Sequence, residues 1–430
     1  MMFDMRNVLP FRSSKLSKDI LWNIMSFVVI AVSGGMLNLL IAKFYSPREL
    51  GVFNQTFALY IILTQLAVLG VHHSMVKYGA QHLKDQEVLG PIIFSAVFLT
   101  FCHASVICLC AFLLQNLVGI MFDSPVMAHS FLLIVPGVLF ASINKVLIGA
   151  LNGMRRMKAY AVLQALRLCL YLAWLCVLIT IQWPGMLISV LLSAGEICLF
   201  LINFFYFRFA FRGMRWACAR EWCHRHLEFG LKAFLGGALY EMNTRVDVLL
   251  LGIFSSDYMV GIYSFAAILV EGFVQLMFAV RATINPVLTQ LYLKKNKDDL
   301  IIFIQNGKKV AYPVMVALGL LAIIAYPLIL ILFLPGQEMY WDAWPIFMIL
   351  MFGMMFFSGY YIFSSLLAQA GFAGKQTCMI GCVVAINIVL NIILIPPYKI
   401  YGAAIATSIS FIMSVFILKY MVRKALNISL

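Results

Sequence analysis

Eight ionisable side chains lie inside long apolar stretches of the sequence, where a charge is costly unless it has a partner or a function. Basic side chains in such places can bind phosphate or carboxylate groups, and acidic ones can bind or exchange cations and protons. The basic residues are Lys145, Arg167, Arg245 and Arg281, and the acidic residues are Glu196, Glu241, Asp247 and Glu271. These eight are the candidate functional residues.

Three of them fall in one short run, from Glu241 to Asp247. Glu241 and Arg245 are four residues apart with the acid first, the favoured order for an ion pair on one helix face. Asp247 would lie about 200° around the same helix from Arg245, so it needs another partner, a cation or a proton. A structural ion pair and a functional site both remain open for this run.

The other five differ in their depth within the apolar stretches. Arg281 is close enough to an inner end to contact either a phosphate group of a ligand or the lipid headgroups. Lys145 and Arg167 are deeper, so we expect each to face a cavity or a partner. Glu196 and Glu271 are near mid-stretch, where a Glu is either protonated and hydrogen-bonded or part of an ion-coupling path.

The elements that must hold these charges are membrane-spanning helices. Of the 430 residues, 63% are hydrophobic and 11% are charged, and the mean hydropathy is +0.98. Soluble domains are about half apolar and a quarter charged, so a soluble enzyme, a nucleic-acid binder and a disordered chain are excluded as main interpretations. The apolar runs predict an all-α polytopic membrane protein with about twelve spans, at 20–42, 51–75, 90–114, 128–153, 159–181, 186–207, 233–254, 260–284, 311–334, 343–369, 378–395 and 401–420.

Basic residues outside the spans give the orientation of the chain. The formal net charge is +14, from 31 Lys and Arg against 17 Asp and Glu. With the N-terminus inside, 24 Lys and Arg fall in inside segments, beginning with Arg6 and Arg12, and three fall outside, at Lys43, Arg48 and Lys399. The positive-inside rule therefore predicts that both termini are cytoplasmic. The positive charge is an orientation signal, so no nucleic-acid partner is expected.

An internal repeat suggests two halves. Residues 39–53 (LLIAKFYSPRELGVF) and 249–263 (LLLGIFSSDYMVGIY) are identical at five of fifteen positions. We predict a six-helix lobe over 1–207, a cytoplasmic linker over 208–232 and a second six-helix lobe over 233–430, with a central cavity between the lobes. The linker carries Cys and His residues whose spacing fits no standard zinc finger, so no metal is expected.

Several segments then resemble one known family. They are 247–252 (DVLLLG), 260–264 (VGIYS), 284–286 (INP), 291–292 (LY) and 395–407 (IPPYKIYGAAIAT). They resemble the polysaccharide transporter family of the multidrug/oligosaccharidyl-lipid/polysaccharide flippase superfamily, over most of the chain. Lys399 stands where this family more often has Gly. The matching segments are packing signatures of the family, and they do not specify a sugar.

The resemblance implies a function for the candidate residues. It implies a flippase of a bacterial inner membrane that moves undecaprenyl-pyrophosphate-linked oligosaccharide repeat units, of the O-antigen type used for lipopolysaccharide, to the periplasmic leaflet by alternating access. The four basic residues are then candidate pyrophosphate contacts. Membrane lipids and other polysaccharide-assembly proteins are the expected partners, and no cofactor, catalytic residue or enzymatic activity is expected.

Transport needs a source of energy, and two other functions compete with the flippase. The sequence has no GxxxxGK[ST] loop for ATP, so the four acidic residues are candidates for coupling to a proton or sodium gradient, or to the membrane potential. A multidrug or small-molecule cation antiporter of the same architecture is the alternative. A membrane glycan polymerase or ligase is disfavoured because the outer loops are short and lack a cluster of candidate catalytic residues.

Overall fold

The computed structural model describes residues 14–83, 85–214, 216–293 and 297–429, so Arg6 and Arg12 lie outside the described residues. The regular structure of these ranges is helical, and they contain no strand. The α-helices are α1 (Ser14–Phe44), α2 (Pro47–Val68), α3 (Val71–Gln81), α4 (Gln86–Leu113), α5 (Gln115–Met121), α6 (Pro125–Gly153), α7 (Met157–Thr180), α8 (Val190–Ala210), α9 (Arg220–Asn243), α10 (Val246–Phe254), α11 (Asp257–Leu293), α12 (Lys297–Phe333), α13 (Ala343–Tyr361), α14 (Leu366–Gln369) and α15 (Ala373–Leu426).

The predicted fold class, an all-α polytopic membrane protein, is confirmed. In the described residues, ten helical segments are long and apolar enough to cross a membrane. One of them, α15, contains two of the spans predicted from the sequence, 378–395 and 401–420. The predicted seventh span falls on α9 and α10, which are not among the ten. About twelve crossings are therefore consistent with these helices.

The prediction of one continuous helix over 233–254 is wrong. Helix α9 ends at Asn243 and α10 begins at Val246. In the turn between them, the Thr244 hydroxyl donates a hydrogen bond to the carbonyl oxygen of Glu241, and the N–H of Arg245 donates to the carbonyl oxygen three residues earlier. Local bonds of this kind compete with the regular helical ladder. Glu241 and Arg245 therefore do not share the face of one regular helix.

Contacts divide the chain into two units. The N-terminal unit contains Asp19–Arg245, and the C-terminal unit contains the chain from Val246 onward. In the N-terminal unit, α3, α4, α6 and α8 surround a core that includes Met75, Ile92 and Leu151. In the C-terminal unit, the ends of α11, α12, α13 and α15 meet around Leu288 and Leu366. The lobe limits predicted from the sequence, including the 208–232 linker, remain a prediction.

Helix α9 packs within the N-terminal unit, mainly on α3 and α4. Trp222, His226 and Gly230 form its buried face. At the start of α3, Gly70 has φ +73°, and a Cβ there would lie 2.2 Å from the Gly230 carbonyl oxygen. Only glycines permit this close approach of two backbones.

The two copies of the internal repeat have the same local structure. Ser46 precedes α2, and its hydroxyl accepts a hydrogen bond from the N–H of Glu49 at 3.4 Å. Ser256 precedes α11 and accepts from the N–H of Met259, also at 3.4 Å. In both copies a Ser at the same repeat position caps the helix that follows, because its side-chain oxygen satisfies a free N–H of the first turn.

The junction of the last two predicted spans is a sharp break within α15. Lys399 has φ 51° and ψ −127°, outside the helical region. Three residues later, a Cβ on Gly402 would lie 2.1 Å from the carbonyl oxygen of Leu394. The turn thus requires Gly402 for space, and it places Lys399 in a conformation that only glycine adopts at low cost.

Candidate functional site

Glu196 is the centre of a buried polar cluster in the N-terminal unit. It lies on α8, and none of its surface is exposed. Arg167 on α7 places Nε 2.8 Å from Oε1 of Glu196. The hydroxyls of Tyr60 on α2 and Tyr171 on α7 donate to the same oxygen, at 3.0 and 2.5 Å. Two hydroxyl donors and the Arg167 guanidinium thus meet at one carboxylate oxygen.

The second oxygen of Glu196 is also occupied. Asn144 on α6 donates its Nδ2 to Oε2 at 2.7 Å, and Asn203 on α8 donates to the Oδ1 of Asn144 at 2.9 Å. A buried charge is tolerated when an opposite charge and hydrogen bonds surround it. We call Tyr60, Asn144, Arg167, Tyr171 and Glu196 the Glu196 cluster. The cluster joins α2, α6, α7 and α8. Both carboxylate oxygens of Glu196 have partners within it, so we call this carboxylate saturated.

Lys145 follows Asn144 on α6 and has a different environment. Its Nζ donates a 2.7 Å hydrogen bond to Oε1 of Gln65 on α2. Glu241, Arg167 and Glu196 are within electrostatic range. Among the described residues, however, no carboxylate lies within ion-pair distance of this half-buried ammonium group. Since an ammonium has three N–H donors, Lys145 can bind an additional acceptor.

Helix α9 fixes the orientation of Gln65. A Cβ on Gly237 would lie 2.8 Å from Nε2 of Gln65 and 3.4 Å from Nε2 of His73. The amide of Gln65 is therefore confined by the backbone of α9. Gln65 itself is buried, with 3% of its surface exposed.

Arg245 is the third basic candidate in the N-terminal unit. Its guanidinium carbon lies 5.2 Å from the ring centre of Phe57 on α2. Phe57 stacks on Phe53 and Tyr60, with ring centres 6.1 and 6.0 Å apart. A cation over an aromatic face is stabilised by the ring quadrupole. Side chains of α2 therefore serve all three basic candidates of this unit. Gln65 bonds Lys145, and Phe57 lies beside Arg245. Tyr60 bonds Glu196, which is the partner of Arg167.

Asp247 belongs to the C-terminal unit. Its Oδ2 accepts a hydrogen bond from the hydroxyl of Tyr263 on α11 and lies 3.5 Å from the hydroxyl of Thr407 on α15. Its Oδ1 accepts from the N–H of Val248 at 2.9 Å. This buried carboxylate therefore links the start of α10 to two other helices.

The remaining two candidates, Glu271 and Arg281, lie on α11. Arg281 donates Nη1 to the Ser364 hydroxyl at 3.1 Å. Its guanidinium carbon also lies 4.9 Å from the ring centre of Phe278 and 4.8 Å from that of Tyr361. Glu271 is half-buried. The structure thus places Lys145, Arg167, Glu196, Glu241 and Arg245 in one unit, and Asp247, Glu271 and Arg281 in the other.

Sequence reasoning missed the neutral partners of these charges. Tyr60, Gln65 and Tyr171 are isolated polar residues in apolar runs, and nothing local marks them as ligands of a charge. The seven-residue spacing of Glu196 and Asn203, two helical turns on one face, was a usable signal. In the described residues, no group of three His, Cys, Asp or Glu side chains is arranged to hold a metal ion.

Comparisons with known proteins agree with this architecture. The family model described as polysaccharide biosynthesis protein matches residues 16–292. No curated protein sequence gives a significant match.

Solved structures show a shared fold. An inward-facing multidrug resistance MATE family transporter of the MOP superfamily has a TM-score of 0.76 at 13% identity, over 93% of this chain and 94% of that chain. The lipid II flippase MurJ, in an inward closed conformation, has a TM-score of 0.76 at 17% identity, over 94% and 87%. A MOP superfamily transporter from Pyrococcus furiosus has a TM-score of 0.58 at 13% identity, over 96% and 95%.

Proposed function

Because the chain belongs to the polysaccharide biosynthesis protein family, we propose that it is a flippase for undecaprenyl-pyrophosphate-linked oligosaccharide repeat units of the O-antigen type. It moves them from the cytoplasmic to the periplasmic leaflet of a bacterial inner membrane by alternating access, with both of its termini in the cytoplasm. No covalent step is needed for this function, so no catalytic residue or cofactor is assigned.

This proposal rests on a difference between Glu196 and Lys145 in the N-terminal unit: the acid has a charged partner, and the base has only a neutral one within the ranges that the structure describes. Glu196 is saturated by Arg167, Asn144 and two tyrosine hydroxyls. Lys145 is held by the neutral amide of Gln65 instead. A site with a neutralised acid and an available ammonium favours an anionic ligand, and a pyrophosphate group is such a ligand.

The four basic candidates have unequal roles in this proposal. Lys145 is the principal pyrophosphate contact, and Arg245 is a second contact from the same unit. Arg167 is engaged with Glu196, so it supports the site mainly through its charge. Arg281 lies in the C-terminal unit, where it bonds Ser364 and lies beside two aromatic rings, and it is a separate candidate for a phosphate contact.

Coupling to a proton or sodium gradient, or to the membrane potential, is proposed through the acidic candidates. Glu241 is the first choice because it acts electrostatically on Lys145. Protonation or cation binding at Glu241 would change the field at the ammonium group that binds the phosphates. Glu196 and Asp247 each accept several hydrogen bonds within the protein, so both rank below Glu241. Glu271 is a further candidate in the C-terminal unit.

A multidrug or small-molecule cation antiporter is the second candidate function. It is favoured by the fold shared with the multidrug resistance transporter. A cation antiporter needs an acidic group that a cationic drug can reach. The saturation of Glu196 argues against that residue in such a role.

A reconstituted flipping assay tests the proposal. The protein is placed in liposomes with a fluorescent polyprenyl-pyrophosphate disaccharide, and a membrane-impermeant reductant reports the outer-leaflet fraction over time. We expect Lys145→Gln to slow flipping by about tenfold or more, the effect of losing one charge-assisted hydrogen bond, and Lys145→Arg to keep most of the rate. Lys158→Gln is the matched control, since Lys158 stacks on Trp22 outside the cluster.

Two results would contradict the proposal. One is a wild-type protein that does not move the lipid-linked disaccharide but exchanges a cationic drug for protons or sodium. The other is an unchanged flipping rate in both Lys145→Gln and Arg245→Gln.

A further inference from the structure

An apolar groove lies on the surface of the N-terminal unit, formed by α4, α6 and α8. Its volume is about 310 Å³. Ile143 and Leu147 form its floor and are almost fully buried, whereas the rings of Phe94 and Phe204 at its sides are 37% and 51% exposed. An apolar lining of this kind suits a hydrocarbon chain.

Two hydrogen-bond donors lie at one end of this groove. Arg208 is in the last turn of α8, and Trp216 follows in the connection to α9. In the described part of the chain, neither the Arg208 guanidinium nor the Trp216 indole has a hydrogen bond, ion pair or ring contact. A cation and an N–H donor at the mouth of an apolar groove complement a ligand with a hydrocarbon chain and an anionic head.

Three other arginines in this part of the chain do have such contacts. Arg156 lies over the ring of Phe211 at 4.4 Å, and Arg212 lies over the ring of Phe209 at 4.8 Å. Arg225 pairs with Glu221 at 2.5 Å. Arg208 differs from these three arginines because its guanidinium has no such contact among the described residues and because it lines the groove.

The groove is separate from the proposed pyrophosphate contacts. Ile143 and Leu147 are four residues apart on one face of α6, whereas Lys145 is about 200° around the helix from Ile143. Lys145 accordingly bonds Gln65 on the opposite side of α6. The proposed pyrophosphate contact and the groove therefore lie on different faces of α6.

We infer that the groove is a binding site for one phospholipid with an anionic headgroup. An acyl chain lies along Phe94, Phe200 and Phe204, and the lipid phosphate accepts hydrogen bonds from Arg208 and Trp216. A volume of about 310 Å³ holds roughly ten groups the size of a water or methylene, a large part of one acyl chain. The Lys and Arg distribution predicts that this end of α8 is inside, where anionic lipids attract cationic side chains.

Quenching of Trp216 by brominated lipids tests this inference. The full-length protein is reconstituted in phosphatidylcholine vesicles that contain either bromine-labelled phosphatidylglycerol or bromine-labelled phosphatidylcholine. The chain has seven Trp residues, so the signal of Trp216 is obtained as the difference from Trp216→Phe. We expect stronger quenching by phosphatidylglycerol, with an affinity about tenfold lower in Arg208→Gln, for the loss of one charge-assisted contact. Arg212→Gln is the matched control and should keep the affinity of the wild type.

Native mass spectrometry of the same proteins counts bound phosphatidylglycerol without relying on Trp216. Folding of each variant is checked by its melting temperature in detergent. Equal quenching by the two lipids, or unchanged phosphatidylglycerol binding in Arg208→Gln, would overturn the inference. Displacement of phosphatidylglycerol by a lower concentration of polyprenyl phosphate would also overturn it, because the groove would then belong to the transported lipid.

Discussion

Arg167 and Glu196 form an ion pair between neighbouring helices, with Nε of the arginine 2.8 Å from Oε1 of the glutamate, whose side chain is fully buried. The pair lies in the N-terminal unit, and Tyr60 and Tyr171 bond the same glutamate oxygen. Such an arrangement ties helices together, and its energetic value depends on both charges being present.

Removing one member of this pair should destabilise the protein strongly. Glu196→Ala leaves the Arg167 charge uncompensated, so we expect the free energy of unfolding in detergent to fall by about 3–5 kcal/mol. The double variant Arg167→Met/Glu196→Met should recover most of this loss. Glu221→Ala is the control, because its pair with Arg225 is exposed and worth under about 1 kcal/mol. A stable Glu196→Ala protein that has lost flipping would instead indicate a direct transport role.

The contact between Gly237 and Gln65 should matter for transport through Lys145. A Cβ at Gly237 would lie 2.8 Å from the Gln65 amide nitrogen, so Gly237→Ala should shift the amide that holds Lys145. We expect a lower flipping rate in the liposome assay with little change in melting temperature. Gly34→Ala serves as the control, since a Cβ there meets no atom within 4 Å. Equal rates in both variants would show that the position of Gln65 is unimportant.

His226 should make the packing of α9 sensitive to acid. In the part of α9 that precedes the predicted span, its Nδ1 is 2.7 Å from the Ser74 hydroxyl and its Nε2 is 3.1 Å from the Ile92 carbonyl oxygen. Burial lowers the pKa of His226 from 6.5 to about 4. The unfolded chain therefore binds a proton before the folded chain does, and stability present above about pH 6.5 is lost as the pH falls towards about 4.

The expected loss can be measured by thermal unfolding at two pH values. Between about pH 7.5 and about pH 5, His226 should contribute a loss of about 2 kcal/mol, since each pKa unit corresponds to about 1.4 kcal/mol. His226→Gln should reduce the difference in melting temperature between the two pH values. A difference as large in His226→Gln as in the wild type would assign the acid sensitivity to other groups.

Lys399 should be a position where glycine stabilises the fold. Its φ of 51° with ψ of −127° is costly for a residue that has a Cβ. We expect Lys399→Gly to raise the free energy of unfolding by about 1 kcal/mol. Lys419→Gly, within a regular part of α15, should lower it by about 1 kcal/mol. A destabilised Lys399→Gly protein would mean that the lysine side chain contributes more than the backbone conformation costs.

The sequence alone determined the fold class, most of the spans and the repeat. Long apolar runs leave few alternatives to helices, because a backbone within a bilayer must satisfy its own hydrogen bonds. The caps at Ser46 and Ser256 are equally local, since each needs only the residues of its own turn. The break after Asn243 was missed because a hydropathy pattern does not register the competing bond of Thr244.

The tertiary structure decided which side chains meet. Tyr60 and Glu196 are 136 residues apart, and Lys145 and Gln65 are 80 apart, yet both pairs are in hydrogen-bond contact. In a membrane protein the lipid-facing and core-facing sides of a helix are both apolar, so the sequence does not show which face turns inward. The sequence therefore identified Lys145 and Glu196 as charges within the spans. Helix packing decided that Lys145 has a neutral amide as its partner and that both oxygens of Glu196 are bonded.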